Sequence, residues 1–181
     1  MKYRCHCRAF TLLELIVSLS IATIILGLAI PSFSKVIENT KRKNTVYRLM
    51  NMLNFARGTA VDTAENVVIC PSNNGVSCVK SRDWAKTLLV FIDYDKNNER
   101  DEDEAILQSF KQSGDKHHIH WRSFGNKSWL SFHADGSTGY QSGRIYYCQG
   151  EGEKKSDKAQ IIVYRTGRSR IAAPYEFRSG C

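Results

Sequence analysis

The hydrophobic pattern of this chain changes character twice. From Phe10 to Ile30 the residues are almost all apolar or small, and Glu14 is the only charge. Twenty-one such residues at the helical rise span roughly 30 Å, the thickness of a bilayer's hydrocarbon core. The second stretch, 31–66, has a helical period instead. Phe33, Ile37, Val46, Met50, Leu53, Ala56, Ala60 and Ala64 recur at spacings of three or four over most of it. Lys35, Lys41, Arg42, Lys43, Arg48 and Arg57 supply the opposite face, which predicts an amphipathic helical stem. The basic run at 41–43 is expected to be a solvated helix face. From Val67 to the end of the chain, short β-type runs alternate with Gly and Asn clusters that suit hairpin turns. Strands are predicted near Val67–Cys70, Leu88–Ile92, Ile106–Phe110, His118–Trp121, Leu130–Phe132, Arg144–Cys148, Gln160–Tyr164 and Ser169–Ala172. The economical architecture is α+β, one long N-terminal helix packed on an antiparallel β-domain at 67–181.

A carboxylate inside a membrane-length segment costs about 2.5–3.5 kcal/mol even on mild scales, so Glu14 calls for a function. Ahead of it, Lys2, Arg4 and Arg8 make the first nine residues basic, with no acid among them. That bias predicts a cytoplasmic N-terminus and export of the chain beyond Ile30. The leader 1–9 reads as a processing segment, with the better cleavage site before the apolar run, between Ala9 and Phe10. The motif A-F-T-L-L-E-L resembles the class III signal of type IV pilins and pseudopilins, with Ala9 where the family usually carries Gly. Pro31 stands where pilin helices commonly bend.

The resemblance implies that a prepilin peptidase cuts before Phe10 and methylates its new amine. In a filament Glu14 would pair with that amine on a neighbouring subunit, so its desolvation is offset only in the assembled register. It also implies residence in the inner membrane of a Gram-negative bacterium before assembly, and on the surface pilus afterwards. The partners would be other major and minor pilins.

Composition fits an exported head. Of the 181 residues, 26 are basic and 18 acidic; loss of the leader leaves a modest positive excess. Cys5 and Cys7 leave with it, and Cys70, Cys78, Cys148 and Cys181 remain. An even count in an oxidising compartment suggests two disulfides with three possible pairings. Cys70–Cys78 with Cys148–Cys181 is preferred, because the first pair flanks the turn-like P-S-N-N-G segment. Zinc is disfavoured, since C-x-x-C spacing is missing outside the leader.

Further patterns narrow the family. Val-Ile-Cys70-Pro-Ser with Cys78, then Asp83-Trp84, Val90-Phe91 and Asp93, and later Leu-Ser-Phe132 and Asp135-Gly136, resemble the GspH/FimT family of minor pilins and pseudopilins. Where that family often places Gly-Trp after Trp84, this chain has Thr87-Leu88. The resemblance implies a type IV pilin-like fold and a filament subunit present in few copies, not an enzyme. Nucleophile-elbow, P-loop and HExxH spacings do not occur, and no cofactor is expected.

Two clusters invite a metal reading. Asp93, Asp95, Asn97, Asp101 and Glu104 occupy positions 1, 3, 5, 9 and 12 of an EF-hand-like loop, and Asn98 stands where Gly makes the sharp turn. The flanking segments read as strands, so a solvated acidic hairpin loop is preferred over a calcium site. Likewise His118 and His120 would share one strand face, a polar face rather than a metal site.

The basic C-terminal region carries the sharpest functional content. Lys158, Arg165, Arg168, Arg170 and Arg178 face a single acid there, Glu176. Gly167 permits a tight turn, and Arg168 and Arg170 would project on one side of an extended segment. Arginine's planar fork suits phosphate. In the FimT branch, a G-R-x-R motif in this region is associated with DNA binding during natural transformation; Gly167-Arg168-Ser169-Arg170 matches it. DNA held through its phosphates is therefore a candidate partner, with Arg144, Arg165 and Lys158 as further contacts; for Tyr164 and Tyr175 core packing is preferred over stacking on single strands. The alternatives are a structural minor pilin that primes assembly, or a type II secretion pseudopilin that binds no DNA.

Overall fold

The computed structural model describes residues 11–111, 117–149 and 158–181, the side chains of 26 and 28–32 excepted. The leader, with Ala9 and Phe10, lies outside them. The chain divides into two units between Lys41 and Arg42. One helix, α1 (Leu12–Thr63), begins in the first unit and ends in the second. Thr11 caps it, its Oγ1 accepting the Glu14 N–H at 3.2 Å, which satisfies one of the first-turn amides. The helix continues through Pro31. Among the described residues no helix is long and apolar enough to cross a membrane; of the run Phe10–Ile30, Phe10 and the side chains of 26 and 28–30 lie outside them.

In the second unit the buried stripe of α1 is Val46, Leu49, Met52, Leu53, Ala56 and Ala60. The sequence-based stripe omitted Leu49 and Met52 and extended too far at both ends. Phe33 and Ile37 are exposed. Ala64, at φ +56°, is the left-handed residue that stops the helix. Arg57, assigned to the polar face, is half-buried, and its Nε donates to the Gly136 carbonyl at 3.0 Å.

Among the described residues eight strands follow: β1 (Asn66–Ser72), β2 (Thr87–Asp93), β3 (Ile106–Lys111), β4 (His117–Ser123), β5 (Leu130–Phe132), β6 (Gly143–Gln149), β7 (Lys158–Val163) and β8 (Ser169–Ile171). They form two antiparallel four-stranded sheets, in the orders β3-β2-β1-β5 and β4-β6-β7-β8. One core joins the helix stripe to Val67, Ile69, Leu88 and Val90 of the first sheet and to Ile119, Trp121, Ile145, Ile161 and Val163 of the second. The other face of the first sheet is covered too: Val68, Cys70, Leu89 and Phe91 pack with Cys78 and Trp129. That two-sided burial is why β1 and β2 read as unbroken apolar runs instead of alternating ones. Disulfides join Cys70 to Cys78 and Cys148 to Cys181, the preferred pairing.

Candidate phosphate-binding hairpin

β7 turns into β8 through a loop whose shape its sequence dictates. The Tyr164 N–H donates to Arg168 O at 2.9 Å and the Gly167 N–H to Tyr164 O at 2.9 Å. This closes a three-residue connection with Gly167 in the left-handed region at φ +73°. Gly167 is also required sterically, because a Cβ there would lie 1.8 Å from the Gly136 carbonyl oxygen. That carbonyl is the one Arg57 holds, and the Thr138 N–H donates to Arg165 O at 2.9 Å. The hairpin tip is thus seated on the Asp135-Gly136 turn and the end of α1. Gly167→Ala combines left-handed strain with a backbone clash and is expected to cost about 2–4 kcal/mol, read as a melting temperature lower by roughly 6–15 °C.

The seated tip exposes Arg165 and Arg168. The Arg165 guanidinium lies 5.5 Å over the ring of Tyr140, itself 80% exposed. The Arg168 side chain makes no hydrogen bond or ion pair among the described residues. With Ser142, Tyr164 and Arg170 the two arginines line an open groove of about 590 Å³. Tyr164 and Tyr175 are not in the core; they are 41% and 86% exposed.

Arg170 behaves differently from Arg168. Its guanidinium grips the Glu176 carboxylate with both ends, at 2.6 and 2.7 Å, and its Nε donates to the Tyr164 hydroxyl at 3.0 Å. The Arg170 bonds, with help from the Ala173 N–H, hold the Glu176 carboxyl down at about 2 against an ordinary 4.5. A depressed acid stabilises the fold above its ordinary value and loses that contribution as pH falls through about 2, so the tie is intact at any physiological pH.

The register explains the neighbourhood. Arg122, Arg144, Ile162 and Arg170 form one row across all four strands on the face of the second sheet away from the core. The C-terminal tail crosses that face. Arg144 donates to Gln160 Oε1 at 2.9 Å and to Glu176 O at 3.1 Å, so it holds the tail and is not a free cation. Gln160 in turn donates to Arg178 O at 2.7 Å, Gly180 rests on the Tyr146 ring, and Cys181 is bridged to Cys148. Lys158 starts β7, at the end away from the hairpin, and borders a separate apolar groove with Arg42 and Lys43. The hairpin therefore assembles Gly167, Arg168 and Arg165 but leaves out Lys158, and it holds Arg170 and Arg144 in internal ties. Sequence reasoning missed Tyr140 and the Arg57–Gly136 seat.

His118 and His120 do share a face, as expected. His118 is exposed, whereas His120 stacks on Tyr146 at 5.3 Å and contacts Gly180 O of the tail. Burial pushes the His120 imidazole below its usual value. Among the described residues these histidines join no cluster of potential metal ligands.

The acidic loop is not simply solvated. Asp93 and Glu104 are buried, and their ligand atoms lie with one of Asp95 within 4.8 Å of one another. Asn98, at φ +62°, makes the turn. Asp93 accepts the N–H groups of Asn97 and Asn98, both at 3.1 Å, and Glu104 accepts those of Tyr94 and Asp101 at 2.9 and 3.0 Å. Asn97 Nδ2 ties Asp95 to Asp101. The loop's own amides take oxygens that a calcium ion would need, which favours the hairpin-loop reading. Burial, opposed by the Asn98 N–H, raises the Asp93 carboxyl from 3.8 to about 6. A raised acid favours the fold at low pH: its contribution is full below about 3.8 and is lost as pH rises through about 6. Between pH 7 and pH 5 the wild-type melting temperature should therefore rise relative to that of Asp93→Asn.

Glu14 is exposed in the first turn of α1, and its carbonyl accepts the Ser18 hydroxyl at 2.7 Å. Its proposed partner amine, on Phe10, lies outside the described residues.

A helix packed on antiparallel sheets with a prepilin-type start defines a type IV pilin-like subunit. Residues 45–167 match the family described as type II transport protein GspH, and residues 4–30 match the prokaryotic N-terminal methylation motif. The chain belongs to this family of GspH/FimT-like minor pilins. Two crystal structures of the Pseudomonas aeruginosa type IV minor pilin FimU share its fold, with TM-scores of 0.58 and 0.56 at 17% identity. Each covers 77% of this chain, which in turn covers 93% and 98% of theirs. No curated protein matches it.

Proposed function

We propose that this minor pilin binds extracellular DNA through its phosphates, without sequence preference, during DNA uptake by natural transformation. The observation that carries the reading is Arg168, an arginine with no hydrogen bond or ion pair among the described residues, held beside Arg165 on a hairpin whose glycine has no steric alternative. Phosphate contacts fix position and carry no sequence information, so binding should weaken steeply with salt. A mobility-shift series on the head (42–181) with random-sequence duplexes tests it; retention unchanged in Arg165→Ala/Arg168→Ala would end it. The Arg170–Glu176 tie favours a second reading, in which the hairpin is only a rigid surface for acidic pilin neighbours.

The same proposal places cleavage between Ala9 and Phe10, a methylated Phe10, and a single membrane pass with the head outside the cytoplasm. Within it Glu14 neutralises the amine of an adjoining subunit. Glu14→Ala is expected to insert in the membrane normally yet be missing from sheared filaments, as an immunoblot of both fractions would show.

A further inference from the structure

We propose that the hairpin site prefers unpaired bases, and that Tyr140 and Tyr164 are the stacking residues of a single-stranded DNA site. This rests on the phosphate-binding reading above. An exposed tyrosine costs nothing to explain singly, but these two share a setting. Tyr140 carries the Arg165 guanidinium 5.5 Å from its ring centre and Tyr164 carries Arg170 at 5.9 Å. Each ring is therefore backed by a cation and also presented to solvent, at 80% and 41% exposure. The backing is itself anchored. Arg170 is fixed by Glu176, and Arg165 follows a residue bonded across the hairpin, with its own carbonyl held by Thr138. A pre-positioned ring loses little freedom when a base lands on it, and a cation beneath adds to the attraction for the base's π-face.

Arg168, without a hydrogen bond or ion pair among the described residues, falls where such a site needs a cation. Tyr164 faces Arg168 across the hairpin, and both line the same groove as Ser142, two residues beyond Tyr140. A base on Tyr140 or Tyr164 thus leaves its phosphate within the field of Arg165 and Arg168. Paired bases in a duplex hide their faces inside the stack, so a duplex can use only the arginines. The alternative, in which the rings serve only to brace the arginines, makes the opposite prediction for a ring deletion.

The test is fluorescence anisotropy of the full chain in nonionic detergent. The probes are a labelled 12-nucleotide oligo-dT and a duplex carrying the same number of phosphates. The wild type should favour the single strand by about tenfold or more. Tyr140→Ala should erase most of that preference while leaving duplex affinity within about twofold, and Tyr140→Phe should retain it. Arg168→Ala should weaken both ligands together. Equal affinity for the two ligands, or a preference indifferent to Tyr140→Ala, overturns the stacking site and leaves phosphate binding standing. Binding of neither ligand by the wild type overturns both. Tyr140 is largely exposed, so its loss tests recognition and not folding.

Discussion

Serine at both Cys148 and Cys181 is expected to destabilise the head by about 4 kcal/mol, because the bridge closes a loop whose ends are 33 residues apart in sequence. The larger consequence is local. The tail from Glu176 lies on the outer face of the second sheet, where Gly180 rests on Tyr146, Arg178 O takes the Gln160 amide and Glu176 holds Arg170. These contacts are a few hydrogen bonds, exposed or part-buried, and the cover of Gly180 over the buried Tyr146 ring, so without the covalent tie the tail's entropy competes with them alone. Once the tail lifts, Arg170 and Arg144 lose Glu176 and become free cations beside Arg122 in their shared row. The double variant should therefore melt at a lower temperature and bind DNA more tightly at low salt, although less selectively. Native-state hydrogen exchange would show lost protection confined to the tail and to β8. A variant that melts lower but keeps wild-type protection at residues 176–181 would contradict the account.

The eight strands were legible because their signals are local. β1 and β2 are apolar on both faces, β4 alternates, β6 carries the β-type run Ile145–Cys148, and the turns between carry Gly or Asn. The disulfides were legible for a related reason, since Cys70 and Cys78 flank a turn that must bring them together. Burial of individual aromatic residues was not. Tyr164 and Tyr175 have the same composition signal as the buried Tyr147, and only the hairpin and the tail's path separate them. The helix stripe was misjudged at its ends for a similar reason. Phe33 and Ile37 continue the periodicity of Leu53 and Ala56 in sequence, but periodicity does not say which part of a helix has a sheet to pack against.

The fate of Arg170 was the least legible. Glu176 is six residues away, beyond the reach of any helical or strand pairing rule, and the contact exists only because Pro174 turns the chain back and Cys181 pins it. Gly167 had the reverse history. The sequence explained it by turn geometry alone, while the structure adds a second cause, contact with the Gly136 carbonyl. A motif written G-R-x-R thus combines a glycine that seats the hairpin, one arginine that faces solvent and one that holds the tail.

That division of labour sets the second large effect. Arg165→Ala with Arg168→Ala is expected to weaken DNA binding by about 100-fold at low salt, two charge-assisted phosphate contacts being lost together. The slope of log affinity against log salt should shrink by roughly 1.8 for duplex DNA, about 0.9 for each phosphate no longer neutralised. Melting should be unaffected, since both side chains are exposed and neither makes an ion pair among the described residues. Arg170→Ala should do the reverse. It breaks the bidentate tie to Glu176 and the bond to Tyr164, so the head melts earlier, while the salt slope barely moves because that guanidinium was already neutralised from within. A titration at four salt concentrations, with melting curves on the same samples, separates the two arginines. If Arg170→Ala removed a full unit of slope, Glu176 would have to yield its place to phosphate on binding, and Arg170 would belong to the DNA contact after all.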